Sequence, residues 1–437
     1  MQLEGRRVTV MGLGHFGGGV AAARWLARSG AVVTVTDLAS EKTLLEPLRS
    51  LAGVQIANYR LGGHRDEDFR HADLVVVNPA VRPENPFLQV ASAAGVPLTS
   101  EMEIFLAACP ARVIGVTGTN GKSTTAAMTA AILRADGRRV HLGGNIGRSL
   151  LGSVDRIAPD DWVVLEISSF QLRYLSAGTR FPEAAVVTNC APNHLDWHGT
   201  FANYAADKQR ILTGQKEDGL AVLNTLDPEV ATWAKLVPSR QLPPLPLDEI
   251  PELSVPGRHN RVNAACAAAA ALGIGCAQAS IVAGLASYRA LRDRLELVAV
   301  IGARKFYNDS SSTTPESTIA ALDAIEGPMW LLAGGSDKGA DFGPMAEAIA
   351  ARATGAALYG AVREGLRTKI VQSRSTFPCT AVDTMDDGLR WCWRRSRPGE
   401  SIVLSPGCAS KDQFQNYRAR GEHFVGLLRV MAGERMG

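Results

Sequence analysis

A chain of 437 residues has room for two to four domains, taking roughly 100–200 residues per domain. Its 46 basic and 43 acidic side chains leave a formal charge of +3, which argues against a nucleic-acid binder that works by bulk charge. Seven scattered cysteines, with no Cys-x-x-Cys pair and no metal-type Cys/His spacing, suit reduced thiols better than a disulfide framework. The most apolar long segment, Ala264 to Ala277, is Ala/Gly-rich and too short to cross a bilayer, and the opening MQLEGRRVTVMGLG lacks a signal-peptide pattern. The expectation is a soluble cytoplasmic protein with no nucleic-acid or membrane partner.

In chain order, a strand over 7–11 runs into Gly12-Leu13-Gly14-His15-Phe16-Gly17, then a helix, then a strand ending at Asp37. Strand, GxGxxG, helix and a strand tipped by an acid form a nucleotide-binding pattern: the helix N-terminus takes phosphate and the acid suits a ribose. The motif alone admits NAD, FAD, a nucleoside diphosphate or a purely structural turn. A further strand, 73–77, ends at Asn78-Pro79, and the natural unit is a Rossmann-like domain over residues 1–105.

A second α/β domain is assigned to 106–292. Its first strand, Val113 to Val116, precedes Gly118-Thr119-Asn120-Gly121-Lys122-Ser123-Thr124 and an Ala-rich helix. Such a loop holds a nucleoside triphosphate: backbone N–H groups turn to the phosphates, Lys122 reaches the outer ones, and Ser123 or Thr124 can offer a hydroxyl to Mg²⁺. The usual GxxxxGK[ST] spelling is not met, because Val116 stands at its first glycine. Glu166 ends another apolar strand, where an acid beside a phosphate loop can hold Mg²⁺ or merely cap a helix. His194 follows a third strand and is either a metal ligand or a satisfied polar residue. Asp196 and His198 read as loop-shaping, and Lys208, on a predicted helix, reads as a solvated lysine. Pro238 to Pro256 is irregular or short-stranded, and an Ala-rich helix follows from Asn260.

Residues 293–437 form a third, Rossmann-like α/β domain. Three polar runs follow its predicted strands: 308–315, 334–339 and 405–410. Three such runs in one small domain favour one shared site over three independent turns.

Taken in this order, GVTGTNGKSTT, EISSFQL, TNxxxxHLDxH, PGRHNxxN, NDSxxTxPxST, GGSDKGxDF and LSPGCASKDQFxNYxxRG resemble the Mur ligases, over nearly the whole chain. The GTNGKST loop is shared with folylpolyglutamate synthase, while SSFQL and the last motif point to the D-glutamate-adding members. The resemblance implies three domains, for UDP-sugar, ATP and the incoming amino acid. It implies a monomeric ligase that uses ATP and Mg²⁺ to join D-glutamate to UDP-N-acetylmuramoyl-L-alanine through an acyl phosphate. A ligase for L-glutamate or another amino acid, or a folylpolyglutamate-type ligase, is the alternative. A nicotinamide-dependent dehydrogenase would leave Lys122 and Glu166 without a task.

Carried over by position, the resemblance puts Gly118 to Thr124 on the ATP phosphates, with Lys122, His194 and Lys208 catalytic. It puts a first Mg²⁺ near Ser123 and Glu166 and a second near His194, and makes Lys208 a carbamate that helps hold Mg²⁺, which reverses the bland reading of that lysine. Asn260 and Asn263 belong to the adenine side, and Arg294 and Asp309 to ATP. Gly14, His15, Phe16 and Asp37 take the uridine diphosphate; Asn145, Ser169 and Gln171 take the muramoyl-alanine end. Thr313, Lys338, Ser410 and Tyr417 take D-glutamate. Two positions depart from the family pattern: Ser311 replaces a common lysine, and Asp293 a common histidine before Arg294.

Overall fold

The computed structural model describes residues 2–14, 17–147, 149–176, 178–337 and 339–433. His15, Phe16 and Lys338 therefore lie outside the described residues. The chain forms two compact units, Met1–Pro251 with Val262–Ser287, and Glu252–Arg261 with Tyr288–Gly437. The first holds two parallel sheets and the second a mixed one, giving the three-domain α/β architecture.

The N-terminal sheet comprises β1 (Arg7–Met11), β2 (Val32–Asp37), β3 (Asn58–Leu61), β4 (Leu74–Val77) and β5 (Leu98–Thr99), in the order β3-β2-β1-β4-β5. Interior strand β4 is buried at every residue, as a parallel strand covered on both faces must be. The helix Gly18–Arg28 lies close on β1: a Cβ at Gly19 would run into the Gly12 carbonyl and Leu13. In a dinucleotide fingerprint the third glycine serves that close approach. Here Gly17 has open space around it and caps the helix with a φ of 82°, and Gly19 serves it instead.

The second sheet comprises β6 (Arg112–Thr117), β7 (Val140–Gly144), β8 (Trp162–Glu166), β9 (Ala184–Val187), β10 (Leu220–Leu223) and β11 (Arg240–Leu242). Their order is β11-β10-β9-β6-β8-β7, all parallel. Adjacent strands β9, β6, β8 and β7 therefore send four successive loops out of one sheet end, and open α/β sheets bind ligands there. The proline-rich stretch carries only β11 and a short 3-10 turn, Leu247–Glu249.

In the second unit, β12 (Glu296–Ile301), β13 (Arg304–Asn308), β14 (Met329–Gly334), β15 (Gly355–Tyr359), β16 (Cys379–Ala381) and β17 (Ser401–Leu404) run in the order β12-β13-β17-β14-β15-β16. Edge strand β12 is antiparallel to β13, with its register broken between Leu297 and Ala299; the other pairings are parallel. The sheet is thus Rossmann-like with one reversed edge. The three polar runs follow β13, β14 and β17, which are neighbours in the sheet.

Among the described residues, no helix is long and apolar enough to cross a membrane.

Candidate active site

The phosphate loop leaves β6 at Thr117 and enters the helix Lys122–Ala135 through Gly121, at a φ of 80°. An L side chain is strained there, and a Cβ would press on the Asn263 amide. The loop is fastened to the end of β9. Thr119 N donates to Asn189 O (2.9 Å), Asn120 N to Asn189 Oδ1 (2.8 Å), and Thr188 Oγ1 to Asn120 O (2.6 Å). Thr119 Oγ1 meets Tyr204 OH at 3.0 Å. A loop so tied needs little reordering to receive a ligand.

Beneath the loop lies a buried carboxylate. Glu166, only 2% exposed, accepts from Ser123 Oγ on one oxygen and from Asn145 Nδ2 (2.8 Å) on the other. Asn145 N also donates to Glu166 O (2.8 Å), so the loop after β7 is pinned to β8. The structure thereby joins three residues that the sequence nominated separately.

Two lysines converge on the same backbone oxygen. Lys122 Nζ donates to Gly118 O (2.9 Å) and Thr119 O (2.7 Å), and Lys208 Nζ donates to Gly118 O (2.8 Å). Lys208 is 1% exposed and sits 4.6 Å over the Tyr204 ring. Burial, and then the neighbouring Lys122 cation, push its pKa well below the usual lysine value. The solvated reading of this lysine is wrong for a physical reason: its helix, Phe201–Thr213, turns that face into the protein.

His194 has a left-handed backbone (φ 53°) at the start of the helix Leu195–His198, and its exposed ring lies edge-on to Phe170 at 4.9 Å. Ser169 and Gln171 are buried in the short helix after β8, where Gln171 and Ser168 form a capping box. In the N-terminal sheet, Asp37 accepts from Leu13 N (2.9 Å) and Ala39 N (2.8 Å), and Gly14 packs beside Asn78.

In the second unit the three polar runs are stitched together. Gly407 N donates to Ser312 O (3.0 Å), Gly334 N to Pro406 O (2.9 Å) and Ser336 N to Ala409 O (2.8 Å). Asp309 is buried and accepts from Leu295 N (3.0 Å), Ser312 Oγ (2.5 Å) and Ser405 Oγ (2.7 Å). Arg294 and Thr313 are half-buried beside this cluster's chain segments. Ser410 is buried, and the Tyr417 carbonyl accepts from Ser310 Oγ (2.7 Å). Asn260 is buried and donates to Pro256 O (2.7 Å). Asp293, the residue replacing histidine, has a φ of 64° and accepts from Asn308 Nδ2 (2.8 Å).

One residue in this cluster escaped assignment. Arg420 is fully buried and donates to Ser310 Oγ (3.0 Å), Ser310 O (2.8 Å) and Cys408 O (3.1 Å), clamping two of the three runs. Its only sequence signal is its place in the NYxxRG stretch.

Comparison with known proteins identifies the class. The Mur ligase middle domain matches residues 116–243, from the end of β6 through the phosphate loop, Glu166, His194 and Lys208. The MurD-like Mur ligase N-terminal domain matches residues 6–100. The chain belongs to the Mur ligase family.

Within it, the chain is 37% identical over 453 residues to the UDP-N-acetylmuramoylalanine–D-glutamate ligase of Solibacter usitatus, covering 98% of each. It is 35% identical over 460 residues to the enzyme of that name from Geobacter metallireducens, covering 100% of each. Among solved structures, UDP-N-acetylmuramate–alanine ligase from Thermotoga maritima superposes with a TM-score of 0.63 at 16% identity, over 98% of this chain and 100% of that one. Mycobacterium tuberculosis folylpolyglutamate synthase, solved with ADP and AMPPCP, gives 0.57 at 15% identity, over 73% and 92%. These two likenesses concern the fold.

Proposed function

We propose that this protein is an ATP-dependent ligase that joins D-glutamate to the alanine carboxyl of UDP-N-acetylmuramoyl-L-alanine, as a cytoplasmic monomer making peptidoglycan precursor. The observation that carries the reading is the buried Glu166 carboxylate, joined to Ser123 of the phosphate loop and to Asn145. The names and full-length coverage of the relatives support the choice of substrates.

A carboxylate is a poor electrophile, and phosphorylation gives it a leaving group. The D-glutamate amine then attacks the carbonyl carbon; a C–N bond forms, the C–O bond to phosphate breaks, and phosphate and ADP are released. Loop N–H groups and Lys122 balance charge on the phosphates. The local donor set fits Mg²⁺. Among the described residues no three His, Cys, Asp or Glu converge into a cage. Instead a hydroxyl and a carboxylate offer hard oxygens, and Mg²⁺ takes one or two protein oxygens and completes its shell from phosphate and water. Ser123 and Glu166 would hold a first Mg²⁺ and His194 a second, with the Lys208 carbamate helping to hold the metal, and the ions would supply charge neutralisation.

A buried lysine amine with a depressed pKa is a nucleophile. Attack by Nζ on CO₂ forms an N–C bond, releases one proton and leaves a carbamate oxygen donor, which supports the ligand role of Lys208. Gly14 and Asp37, with His15 and Phe16, would take uridine diphosphate; Asn145, Ser169 and Gln171 would face the muramoyl-alanine end; Thr313, Ser410 and Tyr417, with Lys338, would take D-glutamate. Ser311 leaves one family cation out of that last set.

Phosphate release from ATP, measured with UDP-N-acetylmuramoyl-L-alanine and a panel of D- and L-amino acids, tests the reading. Release should depend on D-glutamate. Release with L-glutamate alone would move the chain to the alternative ligase, and none with any amino acid would remove the ligase assignment.

A further inference from the structure

Ser169, His198 and Asp207 form a buried hydrogen-bonded line in the first unit. His198 Nδ1 lies 2.9 Å from Asp207 Oδ2, and His198 Nε2 lies 3.1 Å from Ser169 Oγ. The three residues are 2%, 6% and 4% exposed in that order. They come from three elements: the helix Ser169–Arg173, the helix Leu195–His198, and the helix Phe201–Thr213 that carries Lys208. The imidazole is boxed by Phe170 (5.2 Å), Trp197 (4.5 Å) and Tyr204 (5.1 Å), measured between ring centres. Asp207 Oδ1 also lies 3.5 Å from Arg173 Nη1.

The polarity of the line follows from its ends. A neutral imidazole has one N–H, and an ionised carboxylate can only accept. In the neutral ring the hydrogen therefore sits on Nδ1, facing Asp207. Nε2 is left as an acceptor, and Ser169 Oγ–H donates to it.

Asp207 and Lys208 are consecutive helical residues, so their side chains point about 100° apart around the helix axis. Holding Asp207 against His198 and Arg173 fixes the rotation of that helix. Lys208 Nζ is then held at Gly118 O. Tyr204, one turn earlier, pins the same helix to Thr119 and packs against the His198 ring.

We propose that His198 is a positioning residue that acts through Asp207, setting the rotation of the Lys208 helix so that Nζ stays beside the phosphate loop. The proposal rests on the carbamate reading of Lys208. It assigns a role to a histidine that the sequence placed only in a loop.

Three substitutions separate the two halves of the line. In His198→Asn the short amide can reproduce the Nδ1 donor to Asp207 and loses the bond to Ser169. In His198→Gln the longer amide reaches Ser169 and loses Asp207. His198→Phe keeps the aromatic packing and loses both. Two readouts are taken on the full chain: kcat for phosphate release, and the carbamate signal on Lys208 in ¹³C NMR with labelled bicarbonate and no other substrate.

Loss of the Asp207 bond in His198→Phe and His198→Gln should lower kcat about 10- to 100-fold, with the KM for D-glutamate within about twofold. Both variants should also weaken the carbamate signal. His198→Asn should stay close to wild type in both readouts. Equal losses in the Asn and Gln variants would overturn the proposal, because a general packing role does not tell the two nitrogens apart. So would an unchanged carbamate signal in all three. A wild type that turns over without any carbamate signal would overturn the carbamate reading and this proposal together; a wild-type signal that the variants leave untouched overturns this proposal alone.

Discussion

Asp309 sits just past β13 with both carboxyl oxygens occupied, yet its pKa is raised to about 6. Burial, which disfavours the anion, outweighs the hydrogen bonds from Ser312, Ser405 and Leu295, which favour it. The unfolded carboxyl titrates near 3.8, so between that value and about 6 the folded state holds a proton that the unfolded state has lost. Stability from this group is fully present below the unfolded value and is lost as pH rises through about 6. A shift of this size corresponds to at most about 3 kcal/mol. The wild type should therefore gain thermal stability over Asp309→Asn as pH falls from 7.5 to 4.5. Comparing the two proteins cancels the other carboxyl groups, and a difference in midpoint that stays flat over that range would mean that Asp309 titrates normally.

At the scale of elements, the turn after β4 shows how the two sheets of the first unit are fastened. Tyr174 OH donates to Val81 O (2.7 Å), Trp197 Nε1 to Ala80 O (3.2 Å), and Arg82 Nη2 to Asp196 O (2.6 Å). Asn78, at the base of this turn, accepts from Ala80 N (3.0 Å) and donates to Gly12 O (3.3 Å), in the glycine loop after β1. Each such bond contributes on the order of 1 kcal/mol. Tyr174→Phe keeps its ring and Trp197→Phe keeps a smaller aromatic one, and together they remove two of the three fastenings. Backbone amides of residues 78–85 should then exchange faster with deuterium, while those of β6 and β8 should not change. Equal exchange of the turn in both proteins would show that other contacts hold it.

The same scale explains what the sequence disclosed. The strands leading into the phosphate loop, Glu166 and His194 are short apolar runs ended by polar residues, so local pattern was enough to find them. The common sheet end that gathers their loops was legible from the strand-helix alternation alone. His198 and Asp207 were not, because their partners lie 29 and 9 residues away and only the folded chain pairs them. Gly19 was hidden by the GxGxxG spelling, which drew attention to Gly17. Lys208 looked solvated because helical lysines usually are, and only the resemblance to a family corrected that. Reversal of β12 was unreadable for a different reason: an edge strand of six residues carries no local mark of its direction.

At the scale of the whole molecule, the residues proposed for phosphate chemistry and those proposed for D-glutamate belong to different compact units. Lys122, Ser123 and Glu166 lie in the first unit, and Thr313, Ser410 and Tyr417 in the second. Effects of substitutions that share no partner are close to additive, so the two sets should separate kinetically. Ser410→Ala removes one hydroxyl that would bond the amino acid. It should raise the KM for D-glutamate about five- to tenfold, the loss of one hydrogen bond, and leave the KM for ATP within about twofold. Ser123→Ala should do the reverse: it raises the KM for ATP and leaves the KM for D-glutamate near that of the wild type. The double variant should show the product of the two single effects, since neither serine shares a hydrogen-bond partner with the other. If Ser410→Ala raised both KM values together, the amino-acid role of the β17 loop would have to be given up. Its burial would then mark Ser410 as a structural residue of the second unit.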